Sequence, residues 1–206
     1  MNKSQLKYSL ILPQGYEVGK GKLWPLVVFL HGAGERGDDL EKLKVHGPTK
    51  LAAQGKQFPF IILAPLCPED CWWNNEADKT IKLIDETVSN YNVDKNRIYL
   101  TGISMGGYGT WHLAAKIPNR LAAIAPICGG GDPASAGIIK NIPVWVFHGD
   151  KDPTVPIEKS QEMVDAVRSA GGSPKLTIYP GIEHDSWTAT YESDEFWQWM
   201  LEQKRP

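Results

Sequence analysis

The chain has 206 residues, of which 42% are hydrophobic and 22% charged, and its formal net charge is −2 at pH 7. This length suits a single domain, residues 1–206, and the charge balance argues against nucleic acid or an anionic membrane as a partner. No apolar run approaches the roughly 18 residues that span a bilayer, so we expect a soluble globular protein without membrane insertion.

The N-terminal segment MNKSQLKYSLILPQGYE has neither the long apolar core nor the small-residue cleavage site of a secretory signal. We expect a cytoplasmic protein, or a secreted one if a leader is removed to give this N-terminus. Three cysteines cannot form a complete disulfide framework, so free thiols are the expectation, although Cys67 and Cys71 could pair in an exported protein. No second cluster of Cys and His accompanies them, so the sequence indicates no metal site.

The predicted elements alternate between short apolar strands and helices. Strands are predicted, in chain order, at residues 8–12, 26–30, 60–63, 98–101, 121–127, 144–147 and 175–179. Helices are predicted at residues 39–54 (broken at Gly47-Pro48), 78–91, 105–116, 158–170 and 194–203. Fully apolar runs such as residues 26–30 are typical of strands buried on both faces, so the alternation predicts an α/β fold with a mostly parallel central sheet and helices on both faces. Chemistry is then expected in the loops that follow the strands.

The strongest motif is Gly102-Ile103-Ser104-Met105-Gly106, which lies between a predicted strand and a predicted helix. A G-x-S-x-G turn in this context lifts the serine hydroxyl above the sheet, and it needs glycine where a side chain would clash. The helix that follows favours negative charge at its N-terminus. We therefore predict that Ser104 is a nucleophile; the alternative is an ordinary glycine-rich turn.

A serine hydroxyl needs a base, and the base needs a carboxylate that fixes its tautomer. His184 follows the last predicted strand, and Asp152 lies in the loop after the preceding strand, in the chain order expected for this chemistry. Asp150 competes for the role of the acid. We favour Asp152, which lies deeper in the loop, and expect Asp150 to hydrogen-bond the loop backbone.

The segment His31-Gly32-Ala33-Gly34-Glu35-Arg36-Gly37 follows the first buried strand. Acyl transfer creates an oxyanion that backbone N–H groups stabilise, one from the residue after the nucleophile and one from this loop. We predict Met105 and Ala33 as the two donors. Glu35 and Arg36 are expected either to pair and brace the loop or to contact the substrate.

Tryptophans stand in two of the loops near the predicted site. Trp72 and Trp73, in CPEDCWWNN, are candidate walls of a substrate pocket, with packing under the loop as the alternative. Trp187 is a third candidate, which could instead cover the loop of His184. The remaining histidines are expected to be structural or surface residues: His46, His112 and His148.

The motifs HGAGERGDD, GISMGGYGTW, HGDKDPTVP and HDSW together resemble compact esterases and predicted peptidases of the α/β-hydrolase superfamily. The resemblance covers nearly the whole chain and is nearest to the phospholipase/carboxylesterase, dienelactone-hydrolase-like and feruloyl-esterase or polyhydroxybutyrate-esterase branches. It implies Ser104 as nucleophile, His184 as base, Asp152 as acid, and Ala33 and Met105 as oxyanion-hole donors.

Two departures from the family pattern narrow the expected substrate. Residues 128–143 are too few to form a sizeable lid, which favours an open site for short-chain or small exposed esters. The nucleophile is serine, whereas dienelactone hydrolases use cysteine. The sequence therefore predicts a carboxylic ester hydrolase that requires no cofactor and acts on a small-molecule ester. The alternatives are a serine peptidase or amidase using the same triad, and a non-catalytic binding module.

Overall fold

A seven-stranded sheet forms the centre of the computed structural model, which describes residues 5–19 and 21–205. The strands are β1 (Tyr8–Ile11), β2 (Trp24–Leu30), β3 (Ile61–Pro65), β4 (Val93–Ile103), β5 (Ala123–Ile127), β6 (Trp145–Gly149) and β7 (Lys175–Tyr179). Their order across the sheet is β1-β3-β2-β4-β5-β6-β7. The edge strand β1 runs antiparallel to β3, and the other pairings are parallel. The predicted mostly parallel sheet is therefore confirmed.

Seven α-helices accompany the described strands. They are α1 (Gly47–Ala53), α2 (Ala77–Asn90), α3 (Met105–Lys116), α4 (Ala136–Ile139), α5 (Glu158–Ser169), α6 (Trp187–Glu192) and α7 (Asp194–Glu202). Among the residues that the structure describes, no helix has the length and apolar character needed to cross a bilayer.

The prediction of one broken helix at residues 39–54 is wrong. The structure has a 3₁₀ turn at Leu40–Lys44 and then α1, which begins at Gly47 with proline in its first turn. Proline fits there because its missing N–H would have no intrahelical acceptor, and Gly47 tolerates the positive φ of 70°. The Gly47-Pro48 pair therefore starts a helix, whereas the prediction had the pair break one.

The core lies on both faces of the sheet because the central strands are apolar on both sides. All seven residues of β2 are buried. Leu26, Val28 and Leu30 pack with residues from α2, α3 and α5 on one face, whereas Val27 and Phe29 pack with residues of α6 and α7 on the other. Burying an aliphatic side chain the size of valine or leucine contributes about 1.5–3 kcal/mol to the stability of the fold. The two packed layers therefore hold the strand ends in fixed relative positions.

Candidate active site

Ser104 lies in the sharp turn between β4 and α3, with the unusual backbone angles φ 53° and ψ −115°. A Cβ at Gly106 would overlap the carbonyl oxygen of Leu30, and a Cβ at Gly102 would overlap that of Gly106. Both positions therefore require glycine for the helix to approach the strands this closely. The strained turn places the serine at the carboxyl end of the central strand, where nucleophiles of this motif are presented.

The structure brings together the three residues predicted to form the triad. His184 Nε2 lies 3.0 Å from Ser104 Oγ, and His184 Nδ1 lies 2.7 Å from Asp152 Oδ2. An ionised carboxylate can only accept hydrogen bonds, so Nδ1 carries the proton and Nε2 is left to accept the serine hydroxyl proton. The His184 side chain is 23% exposed and that of Asp152 is fully buried, so a small molecule can reach the predicted base but not its carboxylate partner.

The Asp152 carboxylate is held by more than the histidine. Its Oδ1 accepts hydrogen bonds from the N–H groups of Thr154 and Val155, at 2.8 and 2.9 Å. Burial alone would raise the pKa of Asp152, but the hydrogen bonds from His184, Val155 and Thr154 outweigh it, and the net shift is downward. The carboxylate is therefore ionised at neutral pH, as the stabiliser of an imidazolium must be.

His148 is a further neighbour of Asp152. Its ring is fully buried, with Nε2 2.9 Å from the carbonyl oxygen of Val155 and 3.2 Å from Asp152 Oδ2. Because both neighbours are acceptors, Nε2 carries a proton that they share. The ring's Nδ1 lies 2.7 Å from Ser160 Oγ. His148 thus packs within its loop, in line with the expected structural role, and also contacts the carboxylate of the triad.

Asp150, the competing carboxylate, lies elsewhere. Its Oδ1 accepts a hydrogen bond of 2.6 Å from the N–H of Gly181, in the loop that leads to His184. The two aspartates therefore have different partners. Asp152 accepts a hydrogen bond from the imidazole ring of His184, and Asp150 holds the backbone of the loop that leads to His184.

The loop after β2 contains the predicted oxyanion donor Ala33. Ala33 begins a 3₁₀ turn and Met105 begins α3, and N–H groups in the first turn of a helix have no intrahelical acceptor. Both N–H groups are therefore free of a helical partner, as an oxyanion donor must be. Arg36 braces this loop, with Nε donating to the carbonyl of Ala33 at 3.0 Å and Nη1 to that of Cys71 at 3.4 Å.

His31 fixes the start of the same loop. Its Nδ1–H donates to the carbonyl of Gly32 at 2.6 Å, and its Nε2 accepts from the N–H of Cys67 at 3.0 Å. Burial, partly offset by the hydrogen bond to Gly32, lowers the pKa of His31 to about 4. The ring is therefore neutral at pH 7, which lets one nitrogen donate and the other accept.

Glu35 does not pair with Arg36, contrary to one of the two expectations. It is buried, and its Oε1 lies 3.7 Å from Nε2 of His46. Nδ1 of His46 accepts a hydrogen bond of 3.3 Å from the indole N–H of Trp187, whose ring meets His184 edge-on at 5.2 Å. We refer to Glu35, His46 and Trp187 as the bridging residues, because they connect the loop of the predicted oxyanion donor Ala33 to His184.

The three candidate pocket tryptophans have different surroundings. Trp73 is fully buried and its indole N–H donates to the carbonyl of His31 at 3.0 Å, so it packs under the loop and the pocket-wall expectation is wrong for it. Trp187 is 9% exposed and covers His184. Trp72 is 47% exposed and is the one of the three whose ring a ligand can reach directly.

The cysteines are free in the structure, as expected. The sulfur of Cys128 lies within 4.8 Å of ligand atoms of both Asp152 and His184. Burial raises the pKa of Cys128 to about 12, so the sulfur stays a protonated thiol beside the triad.

The proteins to which this chain is similar include several esterases. A family model described as phospholipase/carboxylesterase matches residues 69–194. A bifunctional acetylxylan esterase/xylanase of Neocallimastix patriciarum is 25% identical over 173 residues, covering 80% of this chain and 25% of that protein. Feruloyl esterase B of Neurospora crassa is 26% identical over 176 residues, covering 76% of this chain and 58% of that protein.

Solved structures show the same fold. The crystal structure of a thermostable esterase matches with a TM-score of 0.84 and 37% identity, covering 96% of this chain and 59% of that one. The fold is therefore that of the α/β-hydrolases, as predicted. The chain spans less than two thirds of each of these three proteins.

Proposed function

Because the chain belongs to the phospholipase/carboxylesterase family of α/β-hydrolases, we propose that it is a carboxylic ester hydrolase with Ser104 as its nucleophile. The observation that carries the proposal is the hydrogen-bonded chain from Ser104 through His184 to Asp152, with distances of 3.0 and 2.7 Å. These distances lie within the range in which a base can take a proton from a hydroxyl. We further propose that residues 1–206 act as one domain.

In the first half of the reaction, Ser104 Oγ attacks the ester carbonyl carbon while His184 Nε2 takes the hydroxyl proton. The carbonyl oxygen becomes an oxyanion between the N–H groups of Ala33 and Met105, and the Asp152 carboxylate stabilises the imidazolium. The tetrahedral intermediate then collapses. The bond to the alcohol breaks, His184 gives its proton to the leaving alkoxide, and an acyl group remains on Ser104.

In the second half, a water molecule replaces the alcohol. His184 takes a proton from the water as its oxygen attacks the acyl carbon, and the same N–H groups stabilise the second oxyanion. Collapse returns the proton to Ser104 and releases the carboxylic acid. Each step uses only side chains and N–H groups of this chain, the ester and water, so the mechanism requires no cofactor.

The substrate is proposed to be a short-chain or exposed ester. Between β5 and β6 the chain forms only a 3₁₀ turn, Pro133–Ser135, and the four-residue helix α4. These residues are too few to form a large cover over Ser104, which supports a substrate whose ester protrudes from a larger molecule or carries a small acyl group.

The test is hydrolysis of p-nitrophenyl acetate, butyrate, octanoate and palmitate, with Ser104→Ala as the matched control. We expect turnover of the acetate and butyrate that the variant lacks, and labelling of Ser104 by a fluorophosphonate. Failure of the wild-type chain to hydrolyse any ester would overturn the proposal. Faster cleavage of a matched amide than of its ester would instead indicate a peptidase or amidase, and absence of labelling a binding module.

A further inference from the structure

Asp152 has a second histidine neighbour, His148, which the proposed mechanism does not use. His148 lies at the end of β6, and its side chain is fully buried. Its Nε2 is 3.2 Å from Asp152 Oδ2, and the same oxygen is 2.7 Å from Nδ1 of His184. A single carboxylate oxygen therefore faces both the proposed base and this second imidazole.

The contacts of the His148 ring decide which nitrogen carries its proton. Nε2 faces two acceptors, the carbonyl oxygen of Val155 at 2.9 Å and Asp152 Oδ2. Nδ1 is 2.7 Å from Ser160 Oγ, which also lies 3.2 Å from the carbonyl oxygen of Gly129. In a neutral ring, Nδ1 accepts the hydroxyl proton; in a charged ring, Nδ1 donates to the hydroxyl, which then donates to Gly129. Nε2 is therefore the donor to Asp152 in either state.

With His148 included, the Asp152 carboxylate has four donors. Oδ1 accepts from the N–H groups of Thr154 and Val155, and Oδ2 accepts from His184 and His148. An ionised carboxylate offers about four lone-pair sites, so those of Asp152 are all used and its carboxylate cannot rotate without losing a bond. Without the His148 donor, Oδ2 would be left to His184 alone.

Sharing Oδ2 between two imidazoles changes how strongly the carboxylate holds a proton on His184. A carboxylate stabilises an imidazolium through its negative charge, and a second donor on the same oxygen offsets part of that charge. His184 must be unprotonated to take the proton of Ser104. A weaker hold on the imidazolium therefore keeps the base available at lower pH.

Two further titratable groups interact with Asp152, and both are uncharged at neutral pH. They are Tyr108 on α3 and Cys128 after β5, and burial raises the pKa of each, that of Cys128 to about 12. Of the side chains that the structure describes, His148 and His184 are the two titratable ones that contact Oδ2. The charged residues nearby have other partners or face solvent: Asp150 accepts from the N–H of Gly181, Asp185 from the hydroxyl of Thr188, Lys159 donates to Glu162, and Lys151 is exposed.

We propose that His148 is a positioning residue that shares the Asp152 carboxylate with His184, holds that carboxylate in place and keeps the proposed base unprotonated in mildly acidic solution. The inference rests on the proposed function, because the sharing affects turnover only if His184 is the base. His148 acts through Asp152 and takes no part in the proton transfers. Loss of its Nε2–H should move the acidic limb of the pH profile to higher pH, whereas loss of a merely packed ring would lower activity equally at every pH.

The first experiment measures kcat/KM on p-nitrophenyl acetate between pH 5 and 8.5 for the wild-type chain, His148→Asn and His148→Gln. The asparagine amide reaches about as far as Nδ1 and can bond Ser160 but not Asp152, whereas the glutamine amide reaches about as far as Nε2. In His148→Asn the acidic limb should move up by about half to one pH unit, so that kcat/KM at pH 5.5, relative to that at pH 8, falls about three- to tenfold below the wild-type ratio. His148→Gln should return the limb to near its wild-type position. His112→Asn, a change at a histidine of α3, is the matched control and should leave the limb in place.

The second experiment follows His184 and His148 by ¹⁵N NMR in the protein without substrate. The titration of His184 should move up in His148→Asn by as much as the acidic limb does. His148 of the wild-type chain should carry a proton on Nε2 throughout, which tests the geometry even if His148→Asn does not fold.

The outcomes separate this inference from the proposed function. If the wild-type chain hydrolyses the ester but neither the limb nor the His184 titration moves up in His148→Asn, the inference is overturned and the esterase proposal stands. A proton on Nδ1 of His148 alone, or a glutamine variant that behaves like the asparagine one, also contradicts the inference. If the His184 titration moves as expected and no ester is hydrolysed, the proposed function fails while the shared carboxylate remains.

Discussion

Lowering the pH should destabilise the fold by protonating His31, the buried ring at the start of the oxyanion loop. The neutral ring donates to the carbonyl of Gly32 and accepts from the N–H of Cys67. A proton on Nε2 would remove the acceptor and place a second donor against that N–H. The buried imidazolium would also lack water, which is why burial lowers the pKa of His31 from 6.5 to about 4.

The size of the effect follows from this difference in pKa. Because the folded pKa is depressed, the contribution to stability is complete above the unfolded value of 6.5 and is lost as the pH falls towards 4. The loss approaches about 1.4 kcal/mol per pH unit and reaches about 3 kcal/mol at pH 4. That is a large share of the roughly 5–15 kcal/mol that stabilises an ordinary domain.

The assay is urea unfolding of the wild-type chain and of His31→Asn at pH 7.5, 6, 5 and 4. Asparagine can donate and accept but does not titrate, so the wild-type chain should lose about 3 kcal/mol more than the variant over this range. Parallel stability curves for the two proteins would refute the reasoning. An NMR titration of His31 in the wild-type chain gives an independent readout, and a pKa near 6.5 there would refute it as well.

Three further predictions concern the proposed site. Asp152→Asn should lower kcat on p-nitrophenyl acetate about 10³- to 10⁴-fold, because the imidazole loses its fixed tautomer. Asp150→Asn should lower kcat less than about tenfold. Equal losses in the two variants would contradict the assignment of Asp152 as the acid. Ser104→Gly should unfold in urea with a free energy about 1 kcal/mol higher than Ser104→Ala, since glycine relieves the positive φ; a less stable glycine variant would argue against strain at the turn. Trp187→Phe removes the hydrogen bond to His46. In steady-state kinetics the variant should show a kcat about two- to tenfold lower, with little change in KM. An unchanged kcat would mean that the bridging residues do not position the proposed base.

The sheet could be predicted from the sequence because its strands are continuous apolar runs. The strand predicted at residues 98–101 is part of β4, which already starts at Val93. The earlier part went unpredicted because residues 94–97 are polar and lie partly or fully exposed. The helix α6 went unpredicted because Trp187–Glu192 is only six residues long and has no clear apolar period. Local patterns thus identify buried elements and miss those whose conformation depends on neighbours distant in sequence.

The candidate triad was predictable for a topological reason. Parallel strands bring their following loops to one edge, so Ser104, Asp152 and His184 could be placed together from strand positions alone. The bridging residues could not be placed in this way. The hydrogen bond between Trp187 and His46 joins residues that are 141 positions apart in the sequence, and no local motif predicts such a contact. The pocket-wall expectation for Trp73 is wrong because sequence spacing says nothing about which of two adjacent rings turns inward.

The strand order has a consequence for when the proposed site is completed during synthesis. The serine follows β4 in the middle of the sheet, whereas the histidine follows the edge strand β7 and lies 80 residues farther along the chain. A nascent chain that has emerged through the loop after β6, but not yet through β7, holds the proposed nucleophile and acid but lacks the proposed base. If the proposed function holds, ester turnover begins only after β7 and its loop have docked, so the onset of turnover reports that docking step.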